Sequence, residues 1–245
     1  MGALLKAELV KLRTTRTFLA FVLTAVGLSL LVAILFATLS EPTAGSVIDD
    51  VFASDFSALF ILVLGVIGVA GEWRHRTITS SLLAAPDRLR FLVAKTIAYA
   101  VAGAALSLLI TVAVAIAGFV ILTARDLPTP DLSDFADFVW RNLLIAALLG
   151  AFGVGVGVLV RNQPIAIVGI IVAAFVVEPA LLGLVPEVGR FGPLVGAPSG
   201  IQGTDVGFED VALLAPGLGV LVMLAWVAVT VGLGALLLRS RDLDA

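Results

Sequence analysis

The residues of this chain that could take part in chemistry are densest in one stretch, GEWRHRTITSSLLAAPDRLRFLVAK, which runs from Gly71 to Lys95. It holds five of the 15 Lys and Arg residues and the only histidine, His75. Basic side chains of this kind stay solvated or contact lipid head groups and partner surfaces. The stretch therefore predicts a binding role, and catalysis has to be sought elsewhere.

Catalytic chemistry finds little support in the remaining residues. The chain has no cysteine, which excludes a disulfide, a thiolate nucleophile and a sulfur-ligated metal. His75 lies away from any candidate serine, and no histidine occurs at membrane depth. No G-x-x-x-x-G-K-[ST] loop occurs, so the chain does not bind ATP in the P-loop manner. We predict that the chain is not catalytic alone and holds no cofactor or metal.

An acidic run could in principle bind a divalent cation. The run consists of Asp126, Asp131, Asp134 and Asp137. Pro128 and Pro130 interrupt it, however, and an acidic residue or serine commonly precedes a helix. We favour a solvated helix start near Asp131 or Ser133 over a cation site.

The composition indicates which elements must carry these residues. Hydrophobic residues make up 60% of the chain and charged residues 13%, whereas a soluble domain is about half apolar and about a quarter charged. The chain is predicted to be an all-α integral membrane protein with one transmembrane domain, residues 1–245. Its apolar runs predict six spans. They lie near 18–39, 52–71, 96–124, 138–160, 163–184 and 211–238.

Two of the runs, 56–71 and 162–177, are short for a span, and the distribution of charge indicates that they cross. If all six cross and the N-terminus is cytoplasmic, 12 Lys and Arg residues lie inside and three outside, which together are the 15 of the chain. Cytoplasmic loops carry such an excess. We therefore predict six transmembrane helices with both termini cytoplasmic, in the inner or plasma membrane of a cell.

Residues 1–17 predict an amphipathic helix before the first span. Leu5, Leu9 and Leu12 share one stripe, and the cations Lys6 and Lys11 lie elsewhere on the helix. Such a helix can lie in the membrane surface with its cations near anionic head groups. We favour this interpretation over a plain cytoplasmic extension of the first span.

Residues 72–95 form the inner loop between the second and third spans. Pro86 disfavours helical geometry at Ala85, so two short helices joined by a turn are predicted. Asp87 can cap the second helix, which continues into the third span. Two interpretations stand for this loop: an ordinary basic connector, or a folded segment whose apolar positions need a partner surface.

The order of residues in this loop resembles that of permease subunits of type-2 ATP-binding-cassette exporters. In that family an acidic residue closes the second span, a Thr follows a short basic stretch, and a Leu-rich turn with Pro and Arg precedes a Lys at the third span. The matching residues are Glu72, Thr77, Leu82, Leu83, Pro86, Arg88 or Arg90, and Lys95. The family often has Gly immediately before the Thr, where this chain has Arg76. In topology the resemblance covers the whole chain.

The resemblance implies that residues 72–95 form a coupling helix that rests in a groove of a separate ATPase subunit, which holds ATP and Mg²⁺. The implied contact residues are Glu72, Arg74, Arg76, Thr77, Leu82, Leu83, Arg88 and Arg90. Glu72 could instead form an ion pair with Arg76, one helical turn away. The resemblance also implies a second permease copy, identical or related, in the lipid bilayer. No nucleic-acid partner is expected.

Two features are predicted on the outer side. A charge in lipid is costly, so Glu178 is expected either to line the outer mouth of a transport route, as Phe191 could, or to lie at the outer surface beyond a span that ends near Val177. Residues 185–210 are rich in Gly and Pro, which excludes long helices there. Short helices that cap the route, as the resemblance implies, and a loose surface loop both fit this composition.

Gly153 and Gly157 in the fourth predicted span have the small-xxx-small spacing that permits close helix approach. We favour packing within one protomer over a dimer contact.

The predicted function is the permease subunit of an ATP-driven exporter. Two alternatives remain: a non-transporting membrane anchor that docks a cytosolic partner, and a secondary transporter, which the few charged residues at membrane depth disfavour.

Overall fold

A computed structural model of the protein describes residues 1–53, 55–78, 87–203 and 211–240, except for the side chains of residues 239 and 240. These residues form helices and turns, and no strand occurs among them. The helices are α1 Gly2–Thr14, α2 Arg16–Leu39, α3 Ser57–Arg74, α4 Arg88–Ala124, α5 Leu132–Val160, α6 Gln163–Leu184, α7 Pro186–Gly189, α8 Gly196–Gln202 and α9 Pro216–Ser240. A π-helical turn, Ile48–Phe52, precedes α3, and a second one, Ala173–Val177, lies within α6.

Six helical segments are long and apolar enough to cross a membrane, which confirms the all-α fold and the number of predicted spans. They are Arg16–Leu39, Ile48–Arg74, Arg88–Ala124, Leu132–Val160, Gln163–Leu184 and Pro216–Leu238. The chain therefore has the architecture of a multi-pass membrane protein. The termini of several segments differ from the predicted ones, because helices extend beyond their apolar stretches into polar caps.

Helix α4 shows this extension most clearly. Asp87 caps it, as the sequence predicted: its carboxylate accepts hydrogen bonds from the backbone N–H groups of Leu89 and Arg90, both at 3.1 Å. The helix has 37 residues, which corresponds to about 55 Å, whereas the hydrocarbon core of a bilayer is about 30 Å thick. Its first two turns therefore project beyond the apolar run that begins at Thr96.

Glycines allow α3, α4 and α5 to approach closely at the centre of the bundle. A Cβ atom added at Gly153 of α5 would lie 2.4 Å from the carbonyl oxygen of Leu62 in α3, and one added at Gly157 would lie 2.9 Å from that of Val66. Gly103 of α4 meets the backbone of α5 in the same way. The Gly153 and Gly157 pair therefore packs within the chain, as predicted.

The remaining long helices surround this centre. Helices α2, α6 and α9 bury small parts of their surfaces and expose large apolar side chains, among them Leu23, Val168 and Leu221. Such surfaces suit contact with lipid tails. Buried polar side chains occur near the ends of the bundle, as at Glu72, Lys95 and Glu178, and also within long helices, as at Ser29, Ser107 and Thr230.

Helix α3 ends in a Schellman motif that places Arg76 in the left-handed region, at φ 55°. The N–H of Thr77 donates to the carbonyl of Glu72 at 2.9 Å, and the N–H of Arg76 donates to the carbonyl of Trp73 at 3.1 Å. The motif favours Gly at the position of Arg76, because a side chain is strained at positive φ. This is the position where the exporter permeases often have Gly.

Arg76→Gly is expected to stabilise the chain by about 1 kcal/mol, because it removes the left-handed strain. The melting temperature of the detergent-solubilised protein should rise by about 2–4 °C. Arg74→Gly, within the last helical turn of α3, is the matched control and should lower the melting temperature. A fall for both variants would contradict the turn geometry.

Candidate coupling site at the basic end

One end of the bundle collects the N-terminal helix, the end of α3, the start of α4 and the end of α9; we call it the basic end. Arg88 donates to the carbonyl of Leu238, and Arg161 Nη2 donates to that of Leu237 at 3.1 Å. The Arg161 guanidinium also lies 5.4 Å from the centre of the Trp73 ring. Cations near a helix C-terminus are favourable, so both arginines stabilise the end of α9.

At the opposite end, Arg125 stabilises the C-terminal end of α2 in the same way. Its guanidinium donates to the carbonyls of Ala37 and Ser40 at 2.7 and 2.9 Å. Arg141 donates to the carbonyl of Gln202 at 3.2 Å. Arg125 and Arg141 thus lie at the end of the bundle opposite Arg88 and Arg161.

Four charged residues meet at the basic end, in what we call the ion cluster: Glu8, Glu72 and Lys95, which are buried, and Lys11, which is exposed. The Lys95 ammonium lies 2.7 Å from Glu8 Oε2, 3.0 Å from Glu72 Oε1 and 3.2 Å from the carbonyl oxygen of Gly68. Lys11 also donates to Glu72 Oε1. The Lys95 side chain is 1% exposed and that of Glu72 5%. Both buried carboxylates, Glu8 and Glu72, thus lie beside the buried Lys95 ammonium, and buried charges need such partners.

The ion cluster joins three elements that are distant in the sequence. Glu8 lies on α1, Glu72 in the last turn of α3 and Lys95 in the second turn of α4. Glu72 and Lys95 are also the two residues that bound the predicted coupling loop, so this loop is closed at its base by an ion pair. The ion pairs of Lys95 therefore tie α1, α3 and α4 together at the base of the loop.

The alternative in which Glu72 pairs with Arg76 does not hold. Among the described residues Glu72 pairs with Lys11 and Lys95. Arg76 follows the last helical residue and adopts the left-handed conformation, so it does not lie one helical turn from Glu72. The Schellman turn therefore removes the spacing on which the predicted pair depended.

The other predicted coupling residues divide into exposed and structural ones. Arg74, Arg76, Thr77 and Arg90 are exposed, and Arg90 forms an ion pair with Asp87 at 2.9 Å. Arg88 is half-buried and holds the end of α9. Leu82 and Leu83 lie outside the described residues. The structure thus brings together Glu72, Arg74, Arg76, Thr77, Arg88 and Arg90 at one end of the bundle.

Glu178, at the other end, is buried at 5% exposure and organises the outer segment. Its carboxylate accepts hydrogen bonds from the backbone N–H groups of Leu194 at 3.0 Å, Val195 at 2.7 Å and Gly196 at 3.4 Å. Helix α6 continues past Val177 to Leu184, so Glu178 does not lie at a surface beyond the helix end. Its carboxylate instead serves as the anchor of the chain before α8.

Phe191 lies in the same segment and is 39% exposed. Its carbonyl oxygen accepts a hydrogen bond from the indole nitrogen of Trp226 in α9 at 2.9 Å. An added Cβ at Gly192 would lie 2.3 Å from Glu178 Oε2, so glycine there allows the carboxylate to approach the backbone. Residues 185–203 therefore fold as short helices against α6 and α9, and the loose-loop interpretation does not apply to them.

A second polar network was missed by the sequence analysis. Asp55, just before α3, accepts hydrogen bonds from Asn142 Nδ2 at 2.5 Å, Thr111 Oγ1 at 3.2 Å and the Ser57 N–H at 2.6 Å. The network links α3, α4 and α5. Asp55 and Asn142 lie at the margins of apolar runs and Thr111 lies within one, so nothing in the sequence indicated that the three would meet.

The acidic run has the structure of a helix start. Asp131 is the N-cap residue of α5, and Asp134 lies in its first turn. Within residues 1–53, 55–78, 87–203 and 211–240, no group of three or more acidic, histidine or cysteine side chains could hold a metal ion. The predicted helix start is thus confirmed.

No protein-family model matches the chain, and no curated protein is significantly similar to it. The function is therefore inferred from the geometry of the chain and from the motif in residues 72–95.

Proposed function

We propose that this chain is the membrane-spanning permease subunit of an ATP-driven exporter, coupled through residues 72–95 to a separate ATPase subunit that binds ATP and Mg²⁺. The observation that carries the proposal is the ion cluster. Glu72 and Lys95 close the base of the loop and connect it to α1. A partner that moves this loop would therefore move three helices of the bundle, which is what coupling of nucleotide hydrolysis to transport requires.

Exposed cations at the start of the loop support the proposal that it binds a protein partner. Arg74 and Arg76 are exposed, and neither forms an ion pair within the described part of the chain. Charges at the rim of an interface guide association and set its orientation. An acidic groove on the ATPase would be complementary to them.

The hydrogen bonds of two acidic residues, Asp55 and Glu178, argue against a secondary transporter. Asp55 and Glu178 each accept three or more hydrogen bonds within the chain. A carboxylate that couples transport to an ion must exchange its partners during the cycle. These two instead serve as internal anchors.

We infer a cytoplasmic orientation of the basic end from the excess of Lys and Arg there, and the orientation can be tested directly. The chain has no cysteine, so a single introduced cysteine is the only reactive thiol. We expect a membrane-impermeant maleimide to label Asp126→Cys in intact cells and to label Arg74→Cys only after permeabilisation. The reverse pattern would contradict the proposal.

Coupling can be tested with the complex purified from its native membrane. We expect an ATPase subunit in fixed stoichiometry, ATP-dependent transport after reconstitution, and loss of the ATPase from the double variant Arg74→Glu, Arg90→Glu. Lys6→Glu with Arg13→Glu, two exposed cations of α1, changes the net charge equally and is the matched control.

Three results would separate the candidate functions. Loss of the ATPase only from the Arg74 and Arg90 variant supports the exporter. A complex that hydrolyses ATP or binds a partner without transport would favour a membrane anchor. A chain that moves a solute along a proton gradient without any ATPase would overturn the proposal.

A further inference from the structure

A cavity of about 390 Å³ lies beside the ion cluster. Its walls come from α1, the start of α2, the last turns of α3 and the first residue of α6, with one side chain from α4. The wall is mixed in character. Phe18, Leu64 and Ile67 form an apolar part, and Glu72, Tyr99 and Gln163 form a polar part.

Two buried oxygen atoms of the polar wall lack a donor. Glu72 Oε2 and Gln163 Oε1 accept no hydrogen bond from any described residue. Glu72 is 4% exposed, and both lysines of the ion cluster donate to its other oxygen, Oε1. Buried acceptors are nearly always paired in native proteins. The two atoms therefore indicate a donor that comes from outside the described residues.

Water alone fits this cavity poorly. A water molecule occupies about 30 Å³ of liquid, so on the order of ten would be needed to fill the cavity, and two unpaired acceptors would bond only a few of them. Water molecules beside Phe18, Leu64 and Ile67 would find no polar partner on that part of the wall. A larger molecule with a donating head and an apolar part matches the wall better.

We propose that the cavity binds an amphiphile with a primary ammonium head group. The ammonium donates to Glu72 Oε2 and Gln163 Oε1, and the apolar chain lies along Phe18, Leu64 and Ile67. An ammonium supplies up to three N–H donors, enough for both unpaired acceptors. An ethanolamine lipid or a free long-chain amine offers this same chemistry. The inference depends on the cavity alone and not on exporter activity.

The test uses the purified full-length chain in detergent, without an ATPase, and three probes. Dodecylamine carries both head and chain, dodecyltrimethylammonium carries the charge and chain without N–H groups, and ethanolamine carries the head alone. We expect dodecylamine to bind saturably and raise the melting temperature. The other two probes should bind at least about tenfold more weakly, because each lacks one set of contacts.

Variants then assign the site. Gln163→Leu should weaken dodecylamine binding about tenfold, because it removes one acceptor, and should leave the melting temperature of the free protein nearly unchanged. Gln202→Leu is the matched control, because Gln202 Oε1 is likewise buried without a partner among the described residues but does not line this cavity. Ile67→Trp, whose larger side chain would fill the apolar part of the cavity, should abolish dodecylamine binding.

Nanodiscs distinguish the two sources of the ammonium. Retention of phosphatidylethanolamine over phosphatidylcholine by the native chain, and its loss from Gln163→Leu, would assign a lipid. Binding of dodecylamine without lipid retention would assign a free amine. Equal binding of dodecylamine and its trimethyl analogue, equal effects of Gln163→Leu and Gln202→Leu, or no saturable binding would each overturn the proposal. A failed coupling experiment leaves all these results unaffected.

Discussion

Lys95→Met is expected to lower the free energy of unfolding by about 3–5 kcal/mol, because it leaves the buried Glu8 carboxylate without its cation and the buried Glu72 carboxylate with Lys11 alone. Methionine preserves much of the volume of the lysine stem, so the loss arises from charge and not from a cavity. The Lys95 ammonium bonds Glu8, Glu72 and the Gly68 carbonyl at 2.7–3.2 Å and is 1% exposed. The melting temperature should fall by on the order of 10 °C.

The measurement is thermal unfolding of the detergent-solubilised protein by circular dichroism, with Lys6→Met as the control. Lys6 lies on α1 and is exposed, so its loss should change the melting temperature little. The triple variant Glu8→Gln, Glu72→Gln, Lys95→Met should recover much of the stability, because it leaves no buried charge unpaired. Equal melting of Lys95→Met and Lys6→Met would show that the ion cluster does not hold the helices together.

Gly153→Ala is expected to destabilise the chain by about 1–3 kcal/mol, as overpacking does in close-packed interiors. The added Cβ would lie 2.4 Å from the Leu62 carbonyl oxygen, which belongs to the backbone of α3 and cannot rotate away. Helices α3 and α5 would have to separate, and the neighbouring close approach of Gly65 in α3 to the Gly150 carbonyl in α5 would be lost with them.

The sign of this effect is diagnostic, because alanine normally stabilises a helix relative to glycine by up to about 1 kcal/mol. Gly169→Ala on α6 is the matched control: nothing lies within 4 Å of the added Cβ. It should raise the melting temperature slightly, whereas Gly153→Ala should lower it. If both variants melt at or above the temperature of the native chain, the crossing of α3 and α5 is looser than described.

The number of spans could be predicted because membrane helices are long, continuous and apolar. The distribution of Lys and Arg indicated that the two short runs also cross the membrane. The residues at which the helices begin and end could not be predicted from hydropathy alone. Helix α4 begins at Arg88 and α5 at Leu132, each after an Asp, within polar sequence that hydropathy does not recognise as helical. Capping by Asp87 was predicted, since the residue type and the preceding Pro86 are local signals.

The ion cluster could not be predicted in the same way. Its members are separated by up to 87 residues, and each has a simpler local explanation. Lys95 resembles one more cation at a membrane boundary. One signal was present: Glu8 lies between Leu5 and Leu12 on the apolar stripe of α1, where a charge has no reason to be unless it meets a partner.

Helix α4 has a further consequence for how the two ends of the bundle communicate. It contains no proline from Arg88 to Ala124, and its midpart touches α5 at Gly103, where an added Cβ would lie 2.4 Å from the Ala146 carbonyl oxygen. Such a continuous helix would tilt as one rigid body about its contact at Gly103. A swing of about 5° shifts one tip relative to the other by about 5 Å over a length of about 55 Å. Arg125 follows the other end of α4 and donates hydrogen bonds to the end of α2. A tilt that begins beside Lys95 would therefore displace the end of α2 on the opposite side of the membrane.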